Sequence, residues 1–166
     1  MSAVLALDLG QSCGWAMKLP DDTVVSGTEI FKPSRFESHG MTYLRFRAWL
    51  AELHASTPLA TIFFEEVRAH RGVSAAHAYG AFAGILTSWA EECGVPYLAV
   101  PVSHIKRHVA AKGNSSKEAV MAGVRKLKFN PQTFDEADAL ALLDWAFYNR
   151  QSPIKGANQN PQRTTP

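Results

Sequence analysis

Four acids in this 166-residue chain could do chemistry by type and placement: Asp8, Glu65, Asp135 and Asp138. Asp8 ends the apolar run Val4-Leu5-Ala6-Leu7, and Glu65 ends a second, Ala60-Thr61-Ile62-Phe63-Phe64. Asp135 and Asp138 stand three apart at the start of a strongly apolar segment, so one helical turn puts both on the same side. A carboxylate at the end of a buried strand is costly to desolvate unless positive charge compensates it. No Lys or Arg lies close to Asp8 in sequence. Oxygen ligands suit Mg²⁺ or Mn²⁺ rather than zinc. Carboxylates converging on paired metal ions are the equipment of phosphodiester hydrolysis.

The charge distribution points to a polyanion as partner. The chain carries only +2 in total, yet Pro101 to Lys128 holds Lys106, Arg107, Lys112, Lys117, Arg125, Lys126 and Lys128 against Glu118 alone, a net +6. A second basic stretch, Arg68-Ala69-His70-Arg71, follows the Glu65 segment. Basic flanks beside clustered acids are what a nucleic-acid substrate requires. His104 and His108 have the i, i+4 spacing of a metal pair but lack an intervening Glu. Lys106 and Arg107 between them repel a cation, so both histidines are read as facing nucleic acid or as structural.

Positioning the acids takes an α/β arrangement. Apolar runs and turn signals predict strands over 4–9, 14–19, 23–31, 60–67 and 95–100. Helices are expected over 41–53 and 73–93, with Gly94 as the stop of the second. A further helix begins at Pro101. The capping patterns Ser115-Ser116-Lys117-Glu118 and Thr133-Phe134-Asp135-Glu136 announce two more. The first three strands are close enough in sequence for an antiparallel meander. The fourth pairs in parallel with the first through a helical crossover, which sets Asp8 beside Glu65. Glu65 and Glu66 point to opposite faces, and alternation alone does not choose between them.

Residues 1–150 are expected to form one domain and the polar, proline-containing residues 151–166 a flexible tail. Cys13 and Cys93 lack CxxC spacing, which suits reduced thiols. No signal peptide or 18-residue apolar run is found, so a cytoplasmic, membrane-free protein is expected.

The motifs Ala6-Leu7-Asp8-Leu9-Gly10, Phe64-Glu65-Glu66-Val67 and Asp135-Glu136-Ala137-Asp138-Ala139-Leu140-Ala141 resemble those of RuvC-type Holliday junction resolvases, of the ribonuclease H-like superfamily. The likeness runs over roughly residues 3 to 148, and Lys112-Gly113-Asn114 looks more like divergent phage and prophage members. The resemblance implies a five-stranded mixed sheet flanked by helices. It implies a nuclease that cuts four-way or related branched DNA by paired nicks leaving 5′-phosphate and 3′-hydroxyl ends. Two Mg²⁺ ions, replaceable by Mn²⁺, would be held by Asp8, Glu65, Asp135 and Asp138. Glu65 is favoured over Glu66 because the family's acid stands two residues before the Val. Lys106 and Lys117 match basic positions that face DNA, with Arg107, Lys112, Arg68 and Arg71 as further contacts. The family's aromatic shortly after the strand-four acid is absent here, so junction opening and cutting preference lie outside what the resemblance implies.

Two nicks on opposing strands call for a two-fold homodimer, and the 73–93 helix, rich in Ala and Gly, is the expected interface. Three other classes compete. An actin-like ATPase shares the Asp-x-Gly strand but needs a duplicated domain. A non-catalytic branched-DNA-binding module does not need all four acids. Within nucleases, a RuvX-type enzyme acting on RNA or other nucleic acid is the nearest alternative.

Overall fold

The computed structural model describes residues 2–67 and 72–150; Arg68, Arg71 and the expected tail over 151–166 lie outside them. β1 (Ala3–Asp8), β2 (Ser12–Lys18) and β3 (Val24–Ile30) form the expected antiparallel meander. The β2–β3 turn closes where the Leu19 N–H donates to the Thr23 carbonyl, and the Asp21 carboxylate accepts from the Thr23 N–H. After α1 (His39–Ser56), β4 (Leu59–Glu66) lies parallel to β1 on its other side. α2 (Val73–Cys93) then leads to β5 (Tyr97–Pro101), parallel to β4. The sheet order is β3-β2-β1-β4-β5. α3 (Val102–Ala110), α4 (Lys117–Lys126) and α5 (Phe134–Arg150) complete the described chain.

Alternation divides the core between the two faces of the sheet. Leu5 and Leu7 of β1 pack with Ile62 and Phe64 of β4 beneath α1 (Phe46, Leu50) and α2 (Phe82, Leu86, Trp89). Val4 and Ala6 pack with Phe63 and Val100 beneath α3, α4 and α5. β1 is apolar on both faces because both are covered. Residues 139–143 of α5 are buried all round, since the helix is wedged between the sheet and the α3–α4 pair.

The helix starts refine the capping expectation. Ser116, not Ser115, caps α4: its hydroxyl accepts from the Ala119 N–H, while Ser115 donates to the carbonyls of Ala110 and Lys112. At α5 the Glu136 N–H donates to Thr133 Oγ1, as the capping pattern predicts. The Glu136 carboxylate reaches one residue further back, accepting from the Gln132 N–H and from the Ser26 hydroxyl at 2.7 Å each. That second bond ties the start of α5 to β3. No helix among the described residues is long and apolar enough to cross a membrane.

Candidate metal centre

Asp8 closes β1 on the face of Val4 and Ala6, the side covered by α5. Its partner across the ladder is Gly14 of β2. A Cβ at Gly14 would come within 1.8 Å of the Asp135 carbonyl oxygen, so the first turn of α5 lies directly on the β2 backbone at this point. Gly14 is therefore a strand residue, as expected, and one of close approach; the strand itself begins two residues earlier, at Ser12. Backbone contact at Gly14 brings Asp135 over the Asp8 strand end. The Ser12 hydroxyl donates to Asp135 Oδ2 at 2.6 Å and holds that carboxylate against β2.

Glu65 stands one residue beyond the Leu7–Phe64 pair, as Asp8 does on its own strand. It shares the face of Phe63, whereas Glu66 shares that of Ile62 and Phe64 beneath α1 and α2. Only Glu65 therefore turns toward α5, and it is 7% exposed. The Tyr79 hydroxyl donates to the Glu65 carbonyl at 2.7 Å and accepts from the Val67 N–H, fastening the end of β4 to α2.

The electrostatics mark these acids as a group. Burial pushes the Asp8 carboxyl well above the usual carboxylate range, and the charges of Asp138 and Asp135 push it further; Lys117 opposes them. Burial also raises Glu65, followed by the charges of Asp8 and Asp138, against Lys106 and Lys117. Asp138 is raised to about 6 by burial, with Lys117 and Lys106 lowering it and Asp135 raising it. These are desolvated like charges crowding one another.

Fit to a metal follows from this donor set. Carboxylate oxygens that are buried and mutually repelling suit hard divalent cations. Among the described residues no three His, Cys, Asp or Glu side chains stand close enough to hold an ion as they are placed. Asp8 feels the charges of Asp138 and Asp135, and Glu65 those of Asp8 and Asp138, without a shared ligand shell, so gathering around cations takes side-chain movement.

The predicted basic residues divide. Lys106 is half-buried, donates to the Ser115 carbonyl at 3.0 Å, and with Lys117 at the first position of α4 supplies the positive charge felt by the acids. Lys112 is exposed in the α3–α4 turn. Arg107 is exposed and lines a different groove of about 250 Å³ with His104, His108, Trp145, Tyr148 and Asn149. There His108 Nε2 meets Asp144 Oδ2 at 2.6 Å, so the histidine is engaged by a carboxylate. Arg68 and Arg71 are outside the described residues. A larger open cleft of about 670 Å³ runs from Asp8, Asp135 and Lys117 past Gln11 to Ser74 and Ala78 of α2.

The face of α2 expected at an interface is largely spent within the chain. Phe82, Leu86 and Trp89 are buried, with Tyr79, Ala83 and Ile85 packed against that core. Ala75, Gly80 and Gly84 remain exposed.

No protein-family model matches the chain, and no curated protein matches it. Solved structures do. Thermus thermophilus RuvC in complex with Holliday junction substrate is 26% identical with a TM-score of 0.75, over 91% of this chain and 96% of that one. A second structure of Thermus thermophilus RuvC is also 26% identical, with a TM-score of 0.72 over 90% of this chain and 96% of that one. The yeast mitochondrial Holliday junction resolvase is 15% identical with a TM-score of 0.59, over 91% and 81%, a likeness of fold alone. Two of these structural neighbours are RuvC, and the mixed five-stranded sheet matches RuvC's ribonuclease H-like fold.

Proposed function

We propose that this chain is a divalent-metal-dependent endonuclease that resolves four-way DNA junctions or related branched DNA. The observation that carries the reading is the meeting of Asp8, Glu65, Asp135 and Asp138 at one end of the sheet, with Lys106 and Lys117 facing them. The 26% identity to junction-bound RuvC over nearly the whole chain supports the choice of substrate.

Asp8, Glu65, Asp135 and Asp138 would hold two Mg²⁺ ions, for which Mn²⁺ can substitute. When bound, such ions supply Lewis acidity, lowering the pKa of water and neutralising charge on the scissile phosphate. The chain's own groups do the rest. Ser12 and the Gly14 backbone fix Asp135, while the sheet register fixes Asp8 beside Glu65. Lys106 and Lys117 offset the acids' charge and offer phosphate contacts, to which exposed Lys112 and, from its separate groove, Arg107 would add. Where Arg68 and Arg71 follow β4, they would add further contacts. The products would carry 5′-phosphate and 3′-hydroxyl ends.

Two coordinated nicks ask for a homodimer, with the exposed small residues of α2 (Ala75, Gly80, Gly84) as the surface that permits close approach. The domain would span residues 1–150.

The test is Asp8→Asn. With Mg²⁺ present it should abolish cleavage of a four-way junction while leaving junction binding intact or tighter, because a negative charge facing phosphate is removed. Near-wild-type cutting by the variant would show that the acids are not the catalytic centre.

A further inference from the structure

A single aromatic side chain stands almost wholly in solvent at the same end of the sheet as the acids. Phe36 is 93% exposed, the most exposed of the large hydrophobic residues described. Its location follows from the topology. β1 and β3 are both antiparallel to β2, so they run the same way, and the chain leaves β3 at the end where Asp8 closes β1. Ser12 at the start of β2 is paired with Ile30 at the end of β3. The Phe31 N–H donates to the Gln11 carbonyl at 2.7 Å, so the segment after β3 springs from the turn that lines the acid cleft. Two strand spacings separate β1 from β3, about 10 Å.

The segment is held in shape by its own polar groups. The Glu37 carboxylate accepts from the Ser34 N–H at 2.8 Å, the Glu37 N–H donates to the Ser34 carbonyl at 3.1 Å, and Arg45 of α1 pairs with the same carboxylate. Buried Phe31 anchors one end in the core, and α1 begins at the other. A built turn therefore presents Phe36 outward. It is flanked by cations: Lys32 is exposed, and the Arg35 guanidinium lies 5.8 Å from the Phe36 ring centre.

An exposed ring on a fixed, basic turn beside a phosphodiester-cutting site matches the stacking-plus-phosphate chemistry of contacts to unpaired nucleotides. We propose that the turn over residues 32–37 is a branch-point contact in which Phe36 stacks on an unpaired base and Lys32 and Arg35 take the flanking phosphates. This rests on the reading of the chain as a branched-DNA nuclease and adds to it the element that would distinguish a branch from continuous duplex.

The experiment measures binding of a four-way junction and of linear duplex by the full chain, on an Asp8→Asn background with Mg²⁺ so that strands stay uncut. Phe36→Ala should weaken junction binding about tenfold, leave duplex binding unchanged and leave the melting temperature unchanged. Phe36→Trp should restore junction affinity. Lys32→Ala and Arg35→Ala should each flatten the salt dependence of junction binding by about one unit of slope. Unchanged junction affinity in Phe36→Ala, with the parent still preferring junctions, overturns the branch-point contact and spares the functional reading. Loss of affinity for both DNAs alike, or a change in oligomeric mass, also overturns it, the latter assigning Phe36 to a protein contact. A parent that does not prefer junctions overturns both.

Discussion

The choice between Glu65 and Glu66 turns on one residue of strand register. Neighbouring acids on a strand face opposite ways, and only the side on which α5 packs decides which of them meets Asp135 and Asp138. Composition leaves that open, because both sides of β4 are covered by helices. Glu65→Gln should therefore lose cleavage by several orders of magnitude, while Glu66→Gln keeps most of it, measured as single-turnover nicking of a junction. Equal loss in both would remove the facial assignment. Burial and like charge also give the acids a signature in pH. Asp138 ionises at about 6 against an ordinary 3.8, with Asp8 and Glu65 raised as well. A carboxyl whose folded pKa is raised contributes stability that is fully present below the unfolded value and lost as pH rises through the folded one. The metal-free protein should thus melt at lower temperature as pH rises from about 4 through about 6, and Mg²⁺ should recover the loss at the higher pH. A metal-free melting temperature that rises steadily over this window would contradict the crowding of charges.

At the scale of elements, order and type were legible because both core faces leave marks in the pattern. Runs such as Val4-Leu5-Ala6-Leu7 are continuous where two faces are covered, and residues 139–143 of the Asp135/Asp138 helix are apolar all round because that stretch is wedged between sheet and helices. What pattern does not carry is how closely two elements approach. Gly14 reads as the plain start of a strand until the α5 backbone is placed on it, and Ser12 shows no role until its hydroxyl meets Asp135. The contact has a direct consequence. Gly14→Ala puts a methyl into the Asp135 carbonyl and must push α5 off the sheet, costing about 3 kcal/mol or more in thermal unfolding. Metal affinity should fall with it, since Asp135 moves. Gly40→Ala in α1, where a Cβ would meet only the Ser38 hydroxyl oxygen at 3.7 Å, should be neutral or stabilising in the same assay.

At the scale of the whole molecule, two features of the proposed substrate ask for more than one chain can offer. A four-way junction is two-fold symmetric, and opposed cuts need two centres. Apart from exposed Val73 at its start, the large apolar residues of α2 serve the chain's own core, so a partner surface must be sought among the exposed small residues, where Ala83 is excluded by its packing. Gly80→Glu or Gly84→Glu should yield a folded monomer near the 18.2 kDa chain mass by light scattering, against twice that for the wild type, and should uncouple the two nicks. A wild type that is itself monomeric at working concentration would refute this assembly. The central claim is reached most directly by one assay. Purified protein is given a labelled four-way junction and a linear duplex of matching sequence, with and without Mg²⁺. Paired, religatable nicks in the junction, dependent on Mg²⁺ and absent from the duplex, are the predicted result. Equal cutting of both DNAs, or cutting that persists after chelation, would contradict it.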